Sequence, residues 1–394
     1  MKKELKSGMI YYLSLIGFFA IFSTTISKSP VLPLYVKALG GDEMTIGLIS
    51  AFSPLAGILF SFPVGLMSDK IGRKKLLMIS GGIFLICPLL YLAVGTPMWL
   101  IPVRFFHGMA TAILGPVVSA MIVEKYASSK GEKLGLYSSS TLAGRALAPM
   151  LGGFILSRFA QPGASLASYK YVYVAAFILA IPVFVLTMLI KDESKGGAKV
   201  NTRDFYTDLK YFFANKKLIS TAGVEMAIYF AYGAFETYLP SYLTQFNVSA
   251  GEIGVIFSTQ ILAIALSKPL FGKMADKVDK RKQILPGALL LGLSIGALGF
   301  FHSVTAVVIL GLLFGLGLSF STVATGSYAA EVTSPEKLGS SLGALSAIMD
   351  IGQTVGPLLT GIAITYFSFR LGFALSLALI AITALIFYIF NRER

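Results

Sequence analysis

Glu225 and Glu236 stand eleven residues apart in one apolar run. At 3.6 residues per turn that is about three turns, so both face the same way on a helix, roughly 16 Å apart. Two carboxylates on one face of an apolar helix suit proton or cation handling, because a charge inside a membrane is expensive and is retained for a task. Asp350 lies near the middle of another apolar run, with no interface in easy reach. Four cations have similar settings: Lys28, Arg104, Arg145 and Lys268. Some of these charges also have blander readings. Glu225 could reach interfacial water. Arg104, five residues past Trp99, could snorkel to the membrane surface, and Lys268, just before Pro269, is expected to do so. His107, one turn beyond Arg104, suits a hydrogen-bonded structural place better than a proton relay. Metal-ligand spacing, nucleotide-binding glycine motifs and a nucleophile–base pair are absent, so no metal, cofactor or enzymatic centre is expected. The single cysteine, Cys87, reads as a small core residue.

The elements that must position these charges are apolar runs near twenty residues long, each able to cross a bilayer of about 30 Å as a helix. The 394 residues are 55% hydrophobic and 13% charged, with mean hydropathy +0.77, too apolar for a soluble chain of this length. The sequence predicts an all-α membrane protein of twelve transmembrane helices in two pseudo-symmetric six-helix bundles. The first six spans run over about 9–26, 44–67, 76–94, 99–126, 134–158 and 171–190; the last six over 218–243, 253–274, 283–301, 304–332, 337–367 and 371–390. Residues 1–190 form the first bundle and 218–394 the second. Residues 191–217 form a polar cytoplasmic linker, in which 204–213 reads as a short interfacial helix. The net charge of +14 does not point to nucleic acid, because the basic residues alternate between loops. Of the 33 Lys and Arg, 25 fall on the side of the termini and only Lys37, Arg158, Lys170 and Arg370 in the opposite loops. Both termini are therefore expected in the cytoplasm, and the chain in the plasma or inner membrane.

Part of the sequence occurs twice. Gly65-Leu66-Met67-Ser68-Asp69-Lys70-Ile71-Gly72-Arg73-Lys74-Lys75 returns 207 residues later as Gly272-Lys273-Met274-Ala275-Asp276-Lys277-Val278-Asp279-Lys280-Arg281-Lys282. Pro33/Pro240, Gly47/Gly254 and Glu124/Glu331 keep the same offset; Gly135/Gly343, Gly144/Gly352 and Pro149/Pro357 are offset by 208. Six spans separate the copies, so both run the same way through the membrane, a parallel repeat with a binding site expected between its halves. The offset also puts Glu236 opposite Ser29, next to Lys28, which predicts that Lys28 and Glu236 approach each other when the outer side is closed.

The first of these stretches resembles the loop between helices 2 and 3 of the major facilitator superfamily, G-x-[LM]-[AS]-D-[RK]-x-G-R-[KR], at every position. The second departs at Asp279 and Lys280. The resemblance implies secondary transport by alternating access, with Gly65, Asp69, Gly72, Arg73 and Lys74 in a cytoplasmic gate whose Arg73 pairs with Glu124; Gly272 and Asp276 belong to the second copy. Gly135, Gly144, Pro149, Gly152 and Gly153, with Ala148, resemble the G-x8-G-x3-G-P-x2-G-G motif of proton-coupled antiporters. Gly343, Gly352, Gly356 and Pro357 repeat it. Small residues there let helices approach closely. Arg104-Phe105-Phe106-His107-Gly108 resembles the helix 4 R-x-x-x-G motif linked to proton coupling, and Ala234-Phe235-Glu236-Thr237 is similar to helix 7 of bacterial multidrug exporters. The expected function is that of a 12-helix drug:proton antiporter, a monomer exporting amphipathic or cationic compounds. A proton-coupled symporter or facilitator of a sugar or organic anion is the other reading, and a sensor that no longer transports a third.

Overall fold

A computed structural model describes residues 2–159, 166–190, 207 and 210–392, and for 2–7, 62 and 65–70 the backbone alone. Among the described residues the secondary structure is helical throughout. The first half contains α1 (Lys2–Ile26), α2 (Val31–Ala38), α3 (Glu43–Ile71), α4 (Arg73–Leu92), α5 (Leu100–Lys125), α6 (Lys130–Phe159) and α7 (Ala167–Leu189). The second contains α8 (Lys216–Thr244), α9 (Ala250–Ala275), α10 (Arg281–Leu298), α11 (Val304–Glu331), α12 (Leu338–Tyr366) and α13 (Phe369–Asn391). Most of the linker and half of its expected short helix lie outside the described residues.

Polar side chains set several helix starts. Asn215 accepts from the backbone N–H of Lys217 and Leu218 at the start of α8, Ser303 from Ala306 at α11, and Ser368 from Leu371 at α13. Ten helical spans among the described residues are long and apolar enough to cross a membrane. The helices α6 and α10, expected to cross as well, fall short in apolarity rather than in helicity. The first carries Ser138, Ser139, Ser140, Thr141 and Arg145; the second is 18 residues long and opens on Arg281-Lys282-Gln283.

The chain forms two compact units. The first comprises Met1–Thr45, Phe52–Lys199 and Ser249–Ser258; the second comprises Ile46–Ala51, Val200–Val248 and Thr259–Arg394. In the first, α1 packs on α6 and α7, and α4 on α5 and α7. In the second, α8 packs on α12 and α13, and α10 on α11 and α13. These are the same neighbours in repeat order, so the doubled sequence builds the same bundle twice. The core of the first unit is largely apolar, with Leu13, Ile16, Leu77, Phe84, Val118 and Ile122 all buried.

Two local features differ between the copies. The first apolar run breaks at Ser27–Pro30 and resumes as α2, whereas α8 continues unbroken past Glu236. Lys28 therefore sits in a turn rather than inside a helix. The expected loop after the second span is a single residue: α3 runs to Ile71, Gly72 takes φ +92°, and α4 starts at Arg73. Only glycine adopts that backbone freely. Asp279 stands at the matching position, has no positive φ, and the second corner takes the five residues 276–280 between α9 and α10.

Candidate functional site

The glycine corner delivers Arg73 to the first turn of α4 with its side chain only 6% exposed, against Glu124 at the end of α5. The guanidinium meets the carboxylate through both nitrogens: Nη1 donates to Oε2, and Nη2 to Oε1 at 2.6 Å. Fork-to-fork geometry of this kind fixes orientation as well as charge. Lys74 beside it is half-buried; the side chains of Gly65–Lys70, Asp69 included, lie outside the described residues. The second copy keeps the arrangement in weaker form, with Lys280 Nζ 2.8 Å from Glu331 Oε2 and both groups more exposed. Those two residues are Arg73 and Glu124 moved by 207, so the signal for this pair was present in the repeat. Asp276 is exposed, and a Cβ added to Gly272 would come no closer than 4.0 Å to Val323.

Asp279 gains a separate role. Its carboxylate accepts from the backbone N–H, Nε and Nη2 of Arg281, and these hydrogen bonds hold its carboxyl below the usual carboxylate range. Arg281 Nη1 donates to the Asn391 carbonyl, Asn391 Nδ2 donates to Ser220 Oγ, and Tyr328 Oη donates to Asn391 Oδ1. This network ties the corner to α8, α11 and α13, and nothing in the sequence announced Asn391.

The membrane charges fall into two sets. In the second unit Glu225 is buried on α8 and accepts a 2.5 Å hydrogen bond from Thr325 Oγ1 on α11, with the exposed Lys268 within electrostatic range. The interfacial alternative for Glu225 does not describe it. Glu236 is half-buried, three turns on along the same helix. Asp350, half-buried on α12, has a carboxylate that accepts no hydrogen bond among the described residues, although its carbonyl accepts from Thr354. Asp350 and Glu225 thus occupy different settings in one unit.

In the first unit Arg104 is 1% exposed, so it does not snorkel. Its Nε and Nη1 have no hydrogen-bond partner among the described residues, while the Tyr91 hydroxyl stands beside the guanidinium. Tyr91 stacks on Tyr173 with ring centroids 4.5 Å apart, and the Tyr35 hydroxyl donates to the Tyr91 carbonyl. The hydrogen bond expected for His107 is not made among the described residues: both ring nitrogens lack partners, and the ring packs edge-on to Phe84 at 5.7 Å. Sequence reasoning missed these tyrosines, since apolar runs hold many aromatics. Arg145 is exposed and Lys28 half-buried.

The glycines sort by what a side chain would meet. A Cβ on Gly108 would overlap the backbone of Ser53, so the glycine four residues after Arg104 seats α5 on α3. Gly144 faces the carbonyl of Phe18 on α1, and Gly152 faces Ile26 and Val31. Gly352 and Gly356 lie on the Met226 and Phe230 carbonyls of α8. Within the first unit Gly254 abuts the Pro149 carbonyl and Gly153 that of Ala250; within the second, Gly47 abuts the Pro357 carbonyl, to which Tyr238 donates a hydrogen bond. The motif prolines therefore present carbonyls to glycines that are themselves repeat mates. Gly135 and Gly343 meet nothing within 4 Å, so close packing does not explain them.

Long apolar helices, duplicated bundles and charges held inside them define a multi-span membrane transporter. Residues 13–249 and 221–394 match the description of the Major Facilitator Superfamily, and the chain belongs to that family. Its members are transporters and not enzymes. An uncharacterised MFS-type transporter of Methanocaldococcus jannaschii is 23% identical over 352 residues, covering 86% of this chain and 88% of its own. The multi-drug resistance efflux pump PmrA of Streptococcus pneumoniae is 28% identical over 286 residues, 68% of each chain. Among solved structures, a bacterial homologue of the human lysosomal transporter Spinster superposes with a TM-score of 0.82 at 15% identity, over 98% of this chain and 96% of that one. A D-xylose–proton symporter reaches 0.78 at 14% identity, over 98% of each. At such identities the likeness shows the fold alone.

Proposed function

We propose that this transporter is a proton-coupled antiporter that exports amphipathic, cationic organic compounds by alternating access. The observation that carries the reading is Glu225, a carboxylate buried on α8 that accepts a hydrogen bond from Thr325. A buried carboxyl is neutral with a proton bound and a cation site without one, so proton and organic cation compete for the same charge. Glu236 and Asp350 extend the acidic set in the same unit, and the named role of PmrA supports the direction of transport. In this reading Arg73–Glu124 and Lys280–Glu331 are latches at matching corners, made in one state and broken in the other, and both termini lie in the cytoplasm.

The test is efflux of a lipophilic cationic dye from energised cells expressing the wild type, Glu225→Gln, Glu236→Gln or Asp350→Asn. Loss of proton-driven efflux in one variant, with dye exchange retained, identifies the carrier. Wild-type cells that never expel a cationic dye would overturn the proposal.

A further inference from the structure

A groove of about 670 Å³ opens in the second unit where α10 begins and α13 ends, away from the acids Glu225, Glu236 and Asp350. Its polar wall holds Arg281, Lys282 and Arg392, with Asp279 as the one acid; its apolar wall holds Leu285, Pro286, Phe387 and Tyr388. Arg281 is fixed in place by Asp279 and the Asn391 carbonyl, so its charge is largely spoken for. Lys282 and Arg392 are exposed and have no ion-pair partner among the described residues. Beside them Tyr388, Ile389 and Phe390 are 54%, 50% and 43% exposed, a surface suited to hydrocarbon.

We propose that this groove binds an anionic phospholipid, with its phosphate between Lys282 and Arg392 and its acyl chain along Leu285, Pro286 and Tyr388. The two halves of the groove need both parts of one amphiphile. A soluble phosphate would leave the apolar wall uncovered, and a zwitterionic lipid would bring no net charge to two exposed cations. Basic pockets between membrane helices take anionic headgroups by the same balance.

The full chain, purified in a mild detergent, is titrated with phosphatidylglycerol, phosphatidylcholine or glycerol phosphate. Thermal stability and lipid retained in native mass spectra are the readouts. Phosphatidylglycerol is expected to stabilise the wild type to saturation, with phosphatidylcholine and glycerol phosphate far weaker. Lys282→Ala/Arg392→Ala should raise the half-saturating lipid concentration about thirty-fold, the effect of two interfacial cations. Lys130→Ala/Lys133→Ala, on α6, should not change it. Equal effects of the two lipids, equal stabilisation by glycerol phosphate, or equal losses in both double variants would each overturn the assignment. Should the first double variant not fold, wild-type mass spectra decide: phosphatidylglycerol retained over equimolar phosphatidylcholine supports the site, and equal retention refutes it.

Discussion

The two corner pairs are related by the repeat but not equal in burial, and that difference sets their energies. Arg73 is 6% exposed and Glu124 46%, whereas Lys280 and Glu331 are 23% and 56%. Removing one partner of a fully buried pair costs about 3–5 kcal/mol, chiefly because the other charge is left without compensation. Water reaches Glu124, so Glu124→Ala should cost about 2 kcal/mol, discounted for screening. Lys280→Ala, at an exposed single-point pair, should cost less than about 1 kcal/mol. Unfolding by a denaturing surfactant in mixed micelles measures both. Two double-mutant cycles, Arg73→Ala with Glu124→Ala and Lys280→Ala with Glu331→Ala, separate the pairwise part from side effects. The first cycle should give a coupling of about 1.5 kcal/mol or more, and the second about 0.5 or less. Equal couplings, or a larger one at Lys280–Glu331, would refute the reasoning from burial.

Gly72→Ala places an L-residue at φ +92° and should lose about 1–2 kcal/mol of stability, while Asp279→Gly should lose only what its hydrogen bonds from Arg281 contribute, less than about 1 kcal/mol; thermal melts of the two variants check this. Gly108→Ala and Gly254→Ala push a methyl into backbone and should lower expression and melting temperature, whereas Gly135→Ala, in open space on α6, should be neutral or gain up to about 1 kcal/mol. The Asp279 carboxyl is held low in the folded state by Arg281, so its contribution is present above its unfolded pKa and is lost as pH falls through the lowered folded value. Stability of Asp279→Asn followed against pH should therefore converge on the wild type in acid and diverge above it.

Much of the fold was legible because membrane helices leave an unmistakable apolar signature and because the sequence is doubled. Apart from the start of α1, at Lys2 where about residue 9 was expected, the helix ends fell within a few residues of expectation, and the Arg73 partner was readable from the family motif. What was not legible depended on local backbone or on burial. The break at Lys28 hangs on one short turn in a run whose hydropathy hardly changes. The one-residue corner at Gly72 follows from a φ angle, for which glycine is permissive but not diagnostic. Arg104 was ambiguous because distance from Trp99 says how far the side chain is from an interface, not whether Tyr91 and Tyr173 close over it. Gly135 and Gly343 looked like packing glycines because they share a motif with residues that are; repeat ancestry retains both kinds alike.

The central claim is that protons and an organic cation exchange through the acids of the second unit. Proteoliposomes holding a pH-sensitive dye, with no imposed pH gradient, test it most directly: an outward gradient of a transported cation is set up and lumenal pH is followed. The account predicts acidification of the lumen as cation leaves, in wild type and not in Glu225→Gln. Cation flux with no proton movement, or unchanged coupling in Glu225→Gln, Glu236→Gln and Asp350→Asn alike, would contradict it.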